Sequence, residues 1–361
     1  MLSLFIVDCK TVKDASFYTN KAINHARNGR RYVAISGFTK ALEIDPAYSE
    51  AYNQRSLVFS DLNMYQEALD DISQAIILEP ESQKYLNNRA AIYIALARTE
   101  DAFADLNRAM LINTSNASVF YNRSTLYHLE KQYSNALNDI NQAIIISPND
   151  GKYFSLRGDI YYEMEKLDDA FADYSLAIEL TQQKEYLYAK NYIKRGLVLY
   201  RLNKYQQSLQ DFNQVLKINN GHAEAYNGRG AIYFELNEYQ KAAEDFSWAI
   251  KIDPYYADAY NNRAVLYYET KNYQKALDDY TKAINLLPQN PVFYNDRADI
   301  YKLLEEQAID EEVKNDYKMK ADADYKKSEE LERTYSKIGK KTGERGKFLT
   351  GIAGKLIRNR V

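Results

Sequence analysis

The sequence predicts an all-α solenoid of antiparallel helix pairs. Three observations carry this reading: a period of 34 residues, two helical apolar patterns in each period, and an arginine and an aspartate that recur in register. Alanine stands at 34, 68, 102, 136 and 170, and proline at 46, 80, 148, 254 and 288. The alanines are 34 apart, and the proline steps are multiples of 34 save one that is three periods plus four. Such a period marks stacked supersecondary units, because one unit cannot bury its own apolar face.

The repeats are 15–48, 49–82, 83–116, 117–150, 151–184, 189–222, 223–256 and 257–290, with residues 185–188 as an insert of four. A ninth begins at Pro291; its second helix is displaced by about eleven residues, near 305–319, and resumes at ADADYKKSEELE. In the eighth repeat, helix A covers roughly Asp258 to Thr270 and helix B roughly Gln274 to Leu286. Ala264, Ala276 and Ala283 let the two approach closely, and Tyr260, Tyr267, Tyr273 and Tyr280 fill the space between. Pro288 cannot continue a helix and closes the repeat. The organisation predicted is an N-terminal cap segment 1–14, a solenoid 15–335 and a basic amphipathic tail 336–361.

Position 7 of the repeat is Arg55, Arg89, Arg123, Arg157, Arg195, Arg229, Arg263 and Arg297, with Lys21 in the first. Position 23 is Asp71, Asp105, Asp139, Asp173, Asp211, Asp245, Asp279 and Asp324, with Gly37 in the first. The repeat lacking the arginine also lacks the aspartate. A partly buried arginine needs a partner, and Arg–Asp pairs bidentately. A ladder of structural ion pairs is expected, typified by Arg123 with Asp139 and Arg263 with Asp279, within repeats or between neighbours. An arginine row for anionic ligands is the alternative.

The pattern resembles the tetratricopeptide repeat family: an aromatic at position 4, Gly or Ala at 8, Tyr at 11, Ala at 20, an aromatic at 24, Ala at 27 and Pro at 32. The seventh repeat carries Tyr226, Gly230, Tyr233, Ala242, Phe246, Ala249 and Pro254 at those places. Departures are local: Thr114, Gln182 and Asn220 replace proline, and Ser208 and Val215 loosen the sixth repeat. The resemblance implies a right-handed superhelix whose A helices line a concave groove at positions 2, 5, 6, 9, 12 and 13. It also implies a non-catalytic scaffold or adaptor that binds a protein or peptide segment there. The basic clamp by which some members hold chaperone C-termini is absent from the matching positions.

Position 6 runs Asn20, Gln54, Asn88, Asn122, Leu156, Lys194, Gly228, Asn262 and Asp296. An amide both donates to and accepts from a peptide backbone, so an asparagine row reads an extended chain without demanding its sequence. The row resembles the asparagine ladder of O-GlcNAc transferase repeats; general asparagine richness is the competing account. Position 12 supplies His128, Tyr162, Tyr200, Phe234 and Tyr268, as groove rings or as packing against adjacent helices. Glu224, Glu235, Asp258, Glu269, Asp296 and Asp299 make the last repeats acidic at groove positions, against Lys152, Lys190, Lys194 and Arg201 in the fifth and sixth. An acidic face with aromatic neighbours favours a basic, partly apolar ligand.

From Lys337 to Val361 the chain carries eight Lys or Arg and one Glu. Residues 347–360 would gather Phe348, Leu349, Ile352, Leu356 and Ile357 on one helical face. The tail 340–361 is read as a segment for a partner, a membrane surface or this chain's own groove, or as packing on the last repeat. Leu2, Leu4, Phe5, Ile6 and Val7 would cover the exposed face of the first repeat or form a small dimer contact. Cys9 is the only cysteine, which fits a reducing, cytoplasmic compartment, with peripheral membrane attachment as the alternative. His25, His128 and His222 lack metal-ligand spacing, and no phosphate loop or nucleophile motif occurs. No enzyme activity, metal, cofactor, small-molecule substrate or nucleic acid partner is expected.

Overall fold

The computed structural model describes residues 14–181 and 185–342. The chain divides into two compact bodies, residues 1–164 and 165–361. The N-terminal body holds α1 (Ala15–Arg27), α2 (Arg31–Ile44), α3 (Ser49–Asp61), α4 (Tyr65–Leu78), α5 (Gln83–Ala95), α6 (Thr99–Ile112), α7 (Ala117–Leu129), α8 (Tyr133–Ile146) and α9 (Gly151–Glu163). The C-terminal body holds α10 (Leu167–Leu180), α11 (Glu185–Arg201), α12 (Tyr205–Ile218), α13 (Ala223–Glu235), α14 (Tyr239–Ile252), α15 (Ala257–Glu269), α16 (Tyr273–Leu286), α17 (Pro291–Gln307) and α18 (Glu311–Thr342). Odd-numbered helices are the A helices of the repeats and even-numbered ones the B helices. There is no strand among the described residues. The fold is all-α, a succession of packed helix pairs.

Small and large residues alternate at the pairing surface. Ala68, Ala102, Ala136, Ala242 and Ala276, all at position 20, are fully buried, as are Ala75, Ala109, Ala143, Ala249 and Ala283 at position 27. Between them, position 24 inserts Phe38, Ile72, Leu106, Ile140, Phe212, Phe246 and Tyr280 into the interior. Alanine lets the backbones close and the large side chain fills what remains, as dense packing requires.

The A helices of the first eight repeats stop in the same way, whereas α17 ends on Ala308 in extended backbone. Position 15 adopts a left-handed backbone in Gly29, Asn63, Ala97, Lys131, Glu165, Asn203, Asn237 and Lys271. The next residue's N–H reaches back five residues, as from Met64 to Phe59 O at 2.9 Å and from Asn272 to Tyr267 O at 2.7 Å. This is the Schellman stop, which favours glycine. Lys271, at φ 61°, carries the full cost of a side chain there. Lys271→Gly is expected to stabilise the fold by about 0.5–1 kcal/mol, seen as a higher thermal midpoint; an unchanged or lower midpoint would refute the strain.

Both inserts are absorbed as helix rather than as loop. Helix α11 has 17 residues where α13 has 13, so the four extra residues add one turn at its start. Helix α17 is likewise 17 residues long, and α18 starts at Glu311, seven residues ahead of the place its Asp324 would set by analogy with Tyr273 and Asp279 in α16. Four and seven residues are close to one and two turns at ~3.6 residues per turn, so the inner faces keep their register. Helix α18 also runs on past residue 336 to Thr342, and residues 343–361 lie outside the described residues, as does the 1–13 segment read as a cap.

The recurring arginine is a three-armed clamp. Arg123 Nε and Nη2 donate to the two carboxylate oxygens of Asp139, in its own repeat, at 2.7 and 2.9 Å. Arg263 grips Asp279 in the same way at 2.7 and 2.9 Å. Matching pairs join Arg55 to Asp71, Arg89 to Asp105, Arg195 to Asp211, Arg229 to Asp245 and Arg297 to Asp324. The remaining arm, Nη1, crosses to position 25 of the preceding repeat. It reaches Thr39 from Arg55, Asn141 from Arg157, Asn213 from Arg229, Ser247 from Arg263 and Thr281 from Arg297, at 2.7–3.1 Å. Rings three residues before and four after flank the guanidinium, as Tyr260 and Tyr267 do at 5.8 Å from Arg263. Bonding to Asp139 holds the Arg123 guanidinium above its ordinary pKa. In the first repeat, where Lys21 and Gly37 replace the pair, a Cβ at Gly37 would stand 2.8 Å from Ala22 Cβ, leaving no room for the aspartate.

Candidate functional site

Within each body, the A helices of successive repeats touch, as α5 touches α7 and α13 touches α15. The face they form carries positions 2, 5, 6, 9, 12 and 13. Its amides are largely engaged with one another. Asn88 Nδ2 donates to Asn53 Oδ1 at 2.7 Å, Asn122 to Asn87 at 2.9 Å and Asn262 to Asn227 at 2.8 Å. Each bond joins position 6 of one repeat to position 5 of the repeat before. Gln54 donates instead to Glu50 at 2.8 Å, and Asn20 is exposed. Asn88 and Asn122 are half-buried, whereas Asn262 is 1% exposed and lies inside the structure.

The position-12 rings pack on the ring that opens helix B of their own repeat. His128 meets Tyr133 at 6.2 Å, Tyr200 meets Tyr205 at 5.9 Å, Phe234 meets Tyr239 at 5.7 Å and Tyr268 meets Tyr273 at 6.0 Å. Tyr200 and Phe234 are buried; in this conformation they are core, not groove lining. His128, Tyr162 and Tyr268 are half-buried and still border the face.

The carboxylates differ between the two bodies. In the N-terminal body, Glu50 is bonded by Lys84 at 2.8 Å, and by Gln54 and Tyr85. In the C-terminal body, Glu224 is exposed and Glu235, Asp258 and Glu269 are half-exposed. Among the described residues no ion pair is formed by Glu224, Glu235, Asp258 or Asp299. Their donors are neutral where they have any: Tyr200 Oη donates to Glu235 at 3.2 Å and Tyr325 Oη to Asp299 at 2.7 Å. Burial raises the carboxyls of Asp258 and Asp299 above the ordinary range. A hollow of about 390 Å³, lined by Lys190, Ile193, Gly221, His222, Ala223 and Glu224, opens at this end of the face.

Among the described residues, no group of three or more His, Cys, Asp or Glu could hold a metal ion. No described helix is long and apolar enough to cross a membrane.

Comparison with known proteins places this geometry. The family description "Tetratricopeptide repeat" matches residues 223–256 and 257–290, and a second, "TPR repeat", matches 196–237. Residues 196–290 of this chain are tetratricopeptide repeats. The chain is similar to serine/threonine-protein phosphatase T of Aspergillus oryzae, 41% identical over 59 residues, which are 16% of this chain and 12% of the phosphatase. Among solved structures it resembles a chain of the APC/C hetero-tetramer Cut9-Hcn1 at TM-score 0.60 and 15% identity, over 76% of this chain and 54% of that one. It also resembles a tetratricopeptide repeat protein from Parabacteroides merdae at TM-score 0.53 and 19% identity, over 70% of this chain and 98% of that one. These likenesses show the fold.

Two surface features of this tetratricopeptide protein were not visible in its sequence pattern. Position 29 is aliphatic and exposed in three consecutive repeats, with Ile77 at 67%, Leu111 at 90% and Ile145 at 71%. The elongated ninth repeat opens a cavity of about 530 Å³ between α16 and α18, where Tyr301 and Tyr317 stack at 6.2 Å and Lys320 lies over both. Period-34 alignment marks neither, because one needs burial values and the other needs the path of an inserted helix.

Proposed function

We propose that this tetratricopeptide protein is a non-catalytic interaction scaffold that takes a basic, partly apolar protein segment on the A-helix face of its C-terminal body. The supporting observation is the set of carboxylates without ion-pair partners, Glu224, Glu235, Asp258 and Asp299, beside the half-exposed Tyr268. Unpaired carboxylates on a partly buried face gain from an incoming cation, and complementary charge sets orientation and on-rate.

The test is fluorescence anisotropy with labelled 15-residue peptides carrying Lys or Arg among aromatics, against peptides with the charges reversed. Basic peptides are expected to bind, with affinity falling as salt rises. Glu224→Lys with Glu235→Lys should weaken binding at least tenfold, and Glu50→Lys, in the other body, should not. Equal binding of both peptide classes, or no response to the Glu224 and Glu235 changes, would remove the reading. The alternative of a membrane-anchored scaffold predicts liposome binding that depends on residues 340–361.

A further inference from the structure

Three B helices of the N-terminal body end on exposed aliphatic side chains. Position 29 is Ile77, Leu111 and Ile145 in the second, third and fourth repeats, 67%, 90% and 71% exposed, and each is the last residue but one of its helix. Leu78, Ile112 and Ile146 beside them are 38%, 41% and 36% exposed. A helix C-terminus favours a cation, and in the sixth and seventh repeats the same position is Lys217 and Lys251. Helices α4, α6 and α8 have no basic residue in the last turn. Three consecutive repeats thus place an apolar side chain where the helix end favours charge. Single exposed aliphatics are ordinary, whereas six at one recurring place make a patch that marks an interaction surface.

The row lies on the edge at which the chain enters this body. Ala15, at the start of α1, shares a core with Ala41 and Leu42, at the end of α2, and with Ala51, at the start of α3. Ala75 and Ile76 of α4 likewise share a core with Tyr85 and Leu86 at the start of α5. A helices therefore begin where B helices end, and residues 1–13 join α1 on the same edge as Ile77, Leu111 and Ile145. The reach fits. Residues 8–13 span up to ~20 Å, enough to arrive at the second repeat, and residues 1–7 up to another ~24 Å. Neighbouring A helices touch, so successive repeats stand roughly 10 Å apart and the row is about 20 Å long. The chemistry fits as well. Residues 1–7 hold Leu2, Leu4, Phe5, Ile6 and Val7. Residues 8–13 hold Lys10 and Lys13, and the edge they would cross carries the exposed Glu43, Asp45, Glu79 and Glu81.

We propose that residues 1–7 lie extended across Ile77, Leu111 and Ile145 and cover the apolar edge of the N-terminal body. A tethered segment acts at an effective concentration of about millimolar, so a weak apolar contact is enough to keep the edge closed. Access to this edge then requires displacing the chain's own segment. The cover involves none of the residues of the cation-binding face proposed above, and it stands or falls without that reading.

The test uses the full chain and a full-length variant with a polar first segment, L2S/L4S/F5S/I6S/V7S. The probe is a peptide of residues 1–13, labelled at its C-terminus and read by fluorescence anisotropy. The variant is expected to bind it, and the unaltered chain at least tenfold more weakly. In the variant, Leu111→Lys should cut binding at least tenfold without lowering the thermal midpoint, since Lys217 and Lys251 occupy that position in the other body. Val33→Lys, on the exposed surface of α2, should leave binding unchanged. Equal binding by the unaltered chain and the variant, no binding by either, or no effect of Leu111→Lys would overturn the proposal. Loss with Val33→Lys instead would move the segment to the first repeat and overturn it too. An unaltered chain that is dimeric by light scattering and becomes monomeric with Leu111→Lys would make a second copy the cover, and would refute the proposal as well.

Discussion

Asp139→Ala is expected to lower the thermal midpoint by roughly 6–12 °C, from a loss of about 3 kcal/mol. Asp139 is 6% exposed and accepts both lower arms of Arg123. Its removal leaves a guanidinium enclosed by Phe120 and Tyr127, with Asn107 of the preceding repeat as its remaining acceptor at 3.3 Å. Breaking one side of such a pair costs more than deleting both. Arg123→Met with Asp139→Leu should therefore recover part of the loss. Thermal melts of the single and double variants decide it; a single variant that melts with the parent would show that the pair carries no stability.

Gly228→Ala should destabilise by about 2 kcal/mol, against the gain of about 1 kcal/mol that alanine gives an open helix site. Gly228 holds position 6 in the seventh repeat, and a Cβ there would collide with the ring of Phe212, which is fully buried. The interior has used the volume that an asparagine fills elsewhere. Phe212→Leu should relieve the collision, so the double variant should melt above Gly228→Ala alone. A Gly228→Ala protein as stable as the parent would mean that the ring moves aside at no cost.

Most of the fold was legible because a solenoid writes its contacts at one spacing. The arginine and aspartate announced themselves as partners, since both are missing from the first repeat. The spacing does not specify whether they meet within or between repeats, and the structure answers with both. The carboxylate is in the same repeat, while the third arm crosses to position 25. That position was invisible because Thr, Ser and Asn share an acceptor but not a name. The face itself was harder to read. Asn88, Asn122 and Asn262 bond to neighbours 35 residues back, one more than the period, so a search at 34 passes over them. Tyr200 and Phe234 look like groove rings on a helical wheel. Only the hairpin geometry reveals that they turn toward Tyr205 and Tyr239.

The whole-turn inserts in α11, α17 and α18 bear on how such an array changes over time. A loop insertion alters a connection and leaves packing to chance, whereas four or eleven residues wound into helix leave the inward-facing letters where they were. The pairing of Arg297 with Asp324 spans 27 residues in place of 16, yet its bonds are as short as those of its siblings, at 2.7 and 2.8 Å. Duplication or slippage in steps of three, four, seven or eleven residues is thus nearly silent for stability, while steps of one, two or five rotate a face away from its neighbour. Arrays of this kind can grow new outer surface, such as the recess beside Tyr301, without renegotiating the interior.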